Sequence, residues 1–132
     1  MKKINILALI IFLYFGKSFS KDLTGNQLHC DFWTKGTAQG IHFTSASEGV
    51  YYEVHKEKGW YVERREFTYT VGVDYINMTG KIYKYLPQLN RKTLKLNNSF
   101  KCQILQEKVD MDKYMGIVMF NLKQESEQKN KL

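Results

Sequence analysis

From Val50 to Val73 the chain alternates. Val50, Tyr52 and Val54 fall on one face of an extended segment, and Tyr51, Glu53 and His55 fall on the other. A polar run, Lys56-Glu57-Lys58-Gly59, interrupts the pattern. Trp60 to Val71 then resumes it with aromatic and β-branched residues around Glu63, Arg64, Arg65 and Glu66. Period-two alternation on both sides of a Gly-containing turn predicts a β-hairpin with one face in water. An isolated hairpin is marginal, so other strands are expected to wrap round it and bury the Val50-Tyr52-Val54 side.

The same period recurs along the chain. Leu28, Cys30 and Phe32 alternate with His29, Asp31 and Trp33; Thr34 to Gly40 has loop composition; Ile41 and Phe43 oppose His42 and Thr44; Ser45 to Gly49 is a turn. Beyond the hairpin, strands are expected at Asp74 to Met78, Lys81 to Leu86, Leu89 to Leu96 and Phe100 to Ile104. Turns at Thr79-Gly80 and Asn97-Asn98-Ser99, and a break at Pro87, separate them. About eight short strands with turn signals between neighbours predict a mainly β protein, an antiparallel up-and-down barrel with a sandwich as the alternative. The period changes near the end. Met111, Tyr114, Met115, Val118, Met119 and Leu122 recur at three and four, which predicts a helix over Val109 to Leu122 packed across the barrel wall or mouth. Gly116 and the Ile117-Val118 pair leave a final strand as the alternative, and Lys123 to Leu132 reads as a frayed polar tail.

With 132 residues the chain has room for one domain, and 43% hydrophobic against 25% charged residues is a globular balance. The first twenty residues differ in kind. Lys2 and Lys3, an apolar run from Ile4 to Phe15, and small Ser18 and Ser20 before Lys21 have the form of a cleaved signal peptide. A membrane anchor is the alternative, but the run is short for a span of ~20 residues and Gly16 breaks it. The expected layout is a signal peptide over 1–20, a barrel over 21–108 and a C-terminal helix and tail over 109–132, in a soluble protein that is periplasmic or secreted. Without Lys2, Lys3 and Lys17 the formal charge of +7 falls to +4, spread diffusely. That favours anionic surfaces slightly and gives no specific nucleic-acid signal. In an oxidising compartment the two cysteines, Cys30 and Cys102, are expected to form a disulfide, with two buried thiols as the alternative. Neither has a partner at zinc-ligand spacing.

Leu23-Thr24-Gly25 ahead of the first strand, a Cys in that strand, an aromatic meander, and Leu89-Asn90-Arg91-Lys92 before the closing Cys strand together resemble small exported bacterial lipocalin-like (calycin-type) barrels. The resemblance runs from Leu23 to Leu105. Lipocalins often open with Gly-x-Trp over a late Arg; here Asn26-Gln27 follow Gly25, and the resemblance implies that Arg91 covers the barrel floor.

Candidate chemistry is sparse. His29, His42 and His55 sit on the polar faces of the first three strands, where a metal-holding row competes with solvated side chains; the second is the reading taken, and no metal or cofactor is expected. The chain has no Gly-x-Ser-x-Gly elbow, no His-Glu-x-x-His and no Gly-rich phosphate loop. Glu63 and Glu66 among Arg64 and Arg65 read as a salt-bridged exposed face, so no enzyme is expected. An eight-stranded barrel holds one small ligand or is filled by its own side chains. The expected lining is Phe43, Tyr52, Trp60, Ile76, Ile82 and Leu94, with Val54 and Tyr61 as further candidates, suited to a fatty acid, an isoprenoid or another small hydrophobe. The alternative is a solid core acting as an interaction or inhibitor module. It would meet an envelope protein or an anionic surface through outward Tyr51, Tyr83 and Tyr85 with Arg65 and Lys95.

Overall fold

The computed structural model describes residues 22–32, 37–57, 59–80, 88–97 and 99–129. The expected leader over 1–20 and the expected strand Lys81 to Leu86, with Ile82, Tyr83 and Tyr85, lie outside the described residues. Eight strands follow one another: β1 (Gln27–Phe32), β2 (Thr37–Phe43), β3 (Glu48–His55), β4 (Tyr61–Val71), β5 (Tyr75–Thr79), β6 (Gln88–Asn90), β7 (Lys95–Leu96) and β8 (Phe100–Ile104). Each pairs antiparallel with the next, and β8 returns to β1, so the sheet closes into an up-and-down barrel. A single helix, α1 (Met111–Lys129), follows.

Closure sorts the side chains, because successive residues of a strand point to opposite faces. Every strand contributes to one buried cluster inside the barrel, among them Cys30, Phe43, Tyr51, Phe67, Met78 and Leu96. Edge-to-face rings fill its middle: Phe43 meets Tyr69 with centroids 4.8 Å apart and Phe67 at 6.0 Å. Phe67 reaches across because residue 49 is glycine; a Cβ there would lie 2.3 Å from its ring.

A second cluster lies outside the barrel, under the helix. Val50, Tyr52, Val54 and Ala38 meet Met111 and Met115, and Trp60, Val62, Val118 and Leu122 pack round the margin. The expected orientation of the hairpin is thereby reversed. Val50, Tyr52 and Val54 face the helix, whereas Tyr51, 1% exposed, fills the barrel. Both faces of β3 are covered, so polarity did not mark which one looked inward.

The helix needs a seat, and β2 provides it. A Cβ on Gly40 would stand 2.8 Å from Met115 Sδ and 2.9 Å from Met111 Cε, so the bare backbone lets both methionines approach. The segment expected as a loop through Gly40 is therefore strand from Thr37 onward, its outer face kept small by Ala38 and Gly40. Asp110 caps the helix, its Oδ1 accepting from Asp112 N at 3.1 Å and Lys113 N at 3.4 Å. The buried Gln27 side chain clamps the approach, donating to Val109 O at 2.8 Å and accepting from Val109 N at 2.9 Å. The helix runs on through Lys129, into the part expected to fray. Leu89 to Leu96 is two short strands rather than one. Asn90 Oδ1 accepts from Lys92 N and Thr93 N, turning the chain between them.

The expected disulfide is present. Cys30 and Cys102 stand directly opposite across β1 and β8, 72 positions apart in sequence, at the seam where the sheet meets itself. In the chain-entropy model a loop of this length stabilises by about 4 kcal/mol. Replacing both cysteines by alanine is expected to remove about 2–5 kcal/mol, read from urea unfolding. A loss under about 1 kcal/mol would show that the β1–β8 ladder closes the barrel without its staple.

Candidate functional site

The two ends of the barrel interior have opposite chemistry. At one end a row of interior positions runs across five strands: Cys102, Cys30, Gln39, Glu53 and Glu63 stand opposite one another in successive pairs. Glu53 and His55 share the inward face of Tyr51, while Glu63 and Arg65 share that of Phe67. His55 Nε2 lies 3.4 Å from Glu63 Oε2 and 3.6 Å from Glu53 Oε2, and Arg65 Nε pairs with Glu63 Oε1. The Tyr61 ring stacks on His55, with centroids 4.9 Å apart. Burial pushes the Glu53 carboxyl up; His55 and Arg65 oppose the rise and Glu63 adds to it. Deeper in, Gln39 is 2% exposed, and its Oε1 has no hydrogen-bond partner among the described residues. Glu63 and Arg65 pair as expected and Arg65 stays 42% exposed, but the strand parity turns both toward the inward side of β4. Their charges are tolerated there because they pair at the exposed mouth of the barrel.

The three histidines do not meet. His29 and His42 lie on the outer face, opposite Gly40 and Val50, and only His55 points inward. Among the described residues, no group of His, Cys, Asp and Glu is placed to hold a metal ion. His29 instead joins Asp31, at 2.8 Å from Nε2, and Tyr114 of α1, at 2.6 Å from Nδ1. A carboxylate only accepts, so Nε2–H donates to Asp31; burial, reinforced by the Asp31 charge, pushes the Tyr114 phenol up. With both ring nitrogens engaged, this trio ties the helix to β1. Sequence reading missed it because 85 positions separate its ends.

At the other end lies an apolar pocket of about 180 Å³. Leu23, Leu28, Phe43, Ile76 and Leu89 form its buried floor, and Asn26, Arg91, Leu94 and Ile104 form its rim. Of the six expected lining residues it contains Phe43, Ile76 and Leu94. Tyr52 and Trp60 belong instead to the cluster under α1, placed there by the strand parity, and Ile82 lies outside the described residues. Leu23, Leu28, Leu89, Arg91 and Ile104 were not expected in the lining. The inward parity of Phe43 and Ile76 would have pointed to Leu28 and Leu89 had the register been known. Arg91 Nη1 donates to Gly72 O at 2.6 Å and reaches Val73 O at 3.4 Å, which fixes the guanidinium at the rim. A larger groove of about 430 Å³ runs along the sheet past Thr44, Glu48, Glu66, Thr68 and Thr79, but it is open and polar. The outward aromatic face expected of an interaction module is not assembled from Tyr51 and Arg65, which point into the barrel. Lys95 does face outward, opposite Lys101.

The polar end gives the protein a pH dependence. Glu53 binds its proton more tightly in the folded than in the unfolded chain. Stability from this group is therefore fully present below the unfolded value of about 4.3 and is lost as pH rises through the raised folded value. Glu53→Gln, which keeps the shape and removes the charge, is expected to raise Tm at pH 7.5 and flatten its fall between pH 4.5 and 7.5. A profile parallel to the wild type would place the proton elsewhere. Compared with known proteins, the chain matches no family model, no curated protein and no solved structure.

Proposed function

We propose that the protein is an exported, non-catalytic binding protein that takes a small hydrophobic ligand into the apolar end of its barrel. The observation that carries this reading is the pocket itself, a floor of five buried apolar side chains open at a rim. Phe43, which lines the pocket, packs edge to face on Phe67 and Tyr69, so rings bound the pocket on that side. At about 30 Å³ per water-sized group, 180 Å³ takes roughly six non-hydrogen atoms. That suits a short chain or the tip of a longer one, and is small beside pockets for drug-sized ligands. Export is supported by the signal-like sequence ahead of Lys21 and agrees with a disulfide at the barrel seam. No helix among the described residues is long and apolar enough to cross a membrane.

A second reading, protein interaction, draws on a different observation. Ile117 and Phe120, 53% and 55% exposed, stand one turn apart on the outer side of α1. The two readings separate in one experiment. On addition of six-carbon ligands such as hexanol and hexanoate, amide NMR shifts are expected at Leu23, Leu28, Leu89 and Leu94, with none at Tyr52 or Trp60. Ile104→Trp, which narrows the rim from a half-exposed position, is expected to abolish those shifts without lowering Tm. Absent shifts at millimolar ligand, or shifts centred on α1, would refute the pocket.

A further inference from the structure

We propose that the ligand of the apolar end is a short amphiphilic monoanion, a carboxylate with a hydrocarbon chain, and that Arg91 is its counter-charge. The proposal rests on the reading of the pocket as a ligand site and names the chemistry that site selects.

Arg91 is placed at the rim without an acidic partner. Among the described residues, no carboxylate lies within ion-pair distance of its guanidinium. Asp74 is nearby in the chain fold, its backbone carbonyl accepting from Arg91 N at 2.9 Å, but its carboxylate pairs with Lys92 at 3.6 Å. The guanidinium carries five N–H donors in a planar fork, and the carbonyls of Gly72 and Val73 occupy one nitrogen. The side chain lines the pocket beside Leu89 and Leu94, and a planar carboxylate is the anion that matches a guanidinium fork. A single guanidinium neutralises one negative charge. A phosphate monoester, at about −1.5 to −2 near neutral pH, would bring uncompensated charge to an apolar rim.

The turn that presents Arg91 is strained on the side of the pocket. Leu94 has φ of 55°, in the left-handed region that side-chain-bearing residues seldom adopt. Asn90 holds it there, accepting from Lys92 N and Thr93 N through its side chain and from Leu94 N through its carbonyl. The strained turn thus sets an apolar residue and a cation together on the rim.

Titration with hexanoate, hexanol and hexyl phosphate tests the proposal by the same amide shifts. Hexanoate is expected to bind the wild type roughly tenfold or more tighter than hexanol, as a charge-assisted bond implies. It is also expected to bind more tightly than hexyl phosphate. In Arg91→Gln the hexanoate advantage is expected to vanish while hexanol still binds, which doubles as the check that the pocket has folded. Arg91→Lys is expected to restore part of the advantage. Equal binding of hexanoate and hexanol to the wild type, a preference for hexyl phosphate, or an undiminished hexanoate advantage in Arg91→Gln would overturn the proposal while leaving the pocket intact. Binding of none of the three would remove the pocket reading itself.

Discussion

The middle of β3 is buried on both faces, and much of the molecule follows from that constraint. Tyr51 points into the barrel and Tyr52 points at the helix, each 3% exposed or less. A strand in that position cannot have a solvated side, so the chain must close a sheet around one face and lay another element over the other. The closed sheet removes the strand edges that an open eight-stranded sheet would leave. The helix then covers the outer apolar stripe of β2 to β4, and Gly40 sets how closely it approaches. Two attachments from β1 hold it at its start, beside the Arg64–Asp112 pair from β4. The Gln27 amide clamps Val109, and His29 bonds Tyr114. Both lie on β1, so the barrel seam and the helix anchor share one strand.

The interior is polarised from end to end. Aromatic and aliphatic side chains fill the middle, leaving polar groups at one mouth and an apolar recess at the other. This distribution is economical for a small barrel, because charged groups of β3 and β4 stay near water while the packed middle excludes it. It also fixes what each end can do. Burial pushes the Glu53 carboxyl up, and the contacts of His55 with both glutamates and of Arg65 with Glu63 hold the mouth together. The recess has an apolar floor and a rim that carries one guanidinium.

The strands were legible because alternation is a local property, and the barrel because short strands with turn signals between them have few ways to bury their faces. Cys30 with Cys102 was legible from an even count behind a signal-like leader. Parity was not. Val50, Tyr52 and Val54 are as apolar as an inward face should be, and Glu53 and His55 are as polar as an outward one. The helix supplies apolar cover outside, and the mouth supplies water inside. The strand at Thr37 was hidden for the same reason: Ala38 and Gly40 are small because a helix rests on them, and small residues beside Thr and Gln imitate a loop. Leu89 to Leu96 alternates well enough to suggest one strand, yet the Asn90 side chain bonds two backbone amides and turns the chain. Phe43, Ile76 and Leu94 reach the recess whatever happens on β3, whereas Tyr52 and Trp60 lie under the helix.

The recess takes its charge from the end of β6. Arg91 N still donates to Asp74 O, extending the β5–β6 ladder by one bond, and the Asn90 turn begins beyond it. The Arg91 side chain lines the recess beside Leu89, with Gly72 O and Val73 O accepting from Nη1. Leu94 is held over the recess by that turn at a backbone angle it would not choose alone. A barrel that needed only to close its floor would be better served by glycine at position 94, which adopts this angle without strain. Leucine there adds apolar surface to the rim at the expense of backbone strain. Under the proposed reading, that added surface meets the hydrocarbon of the ligand while Arg91 meets its charge.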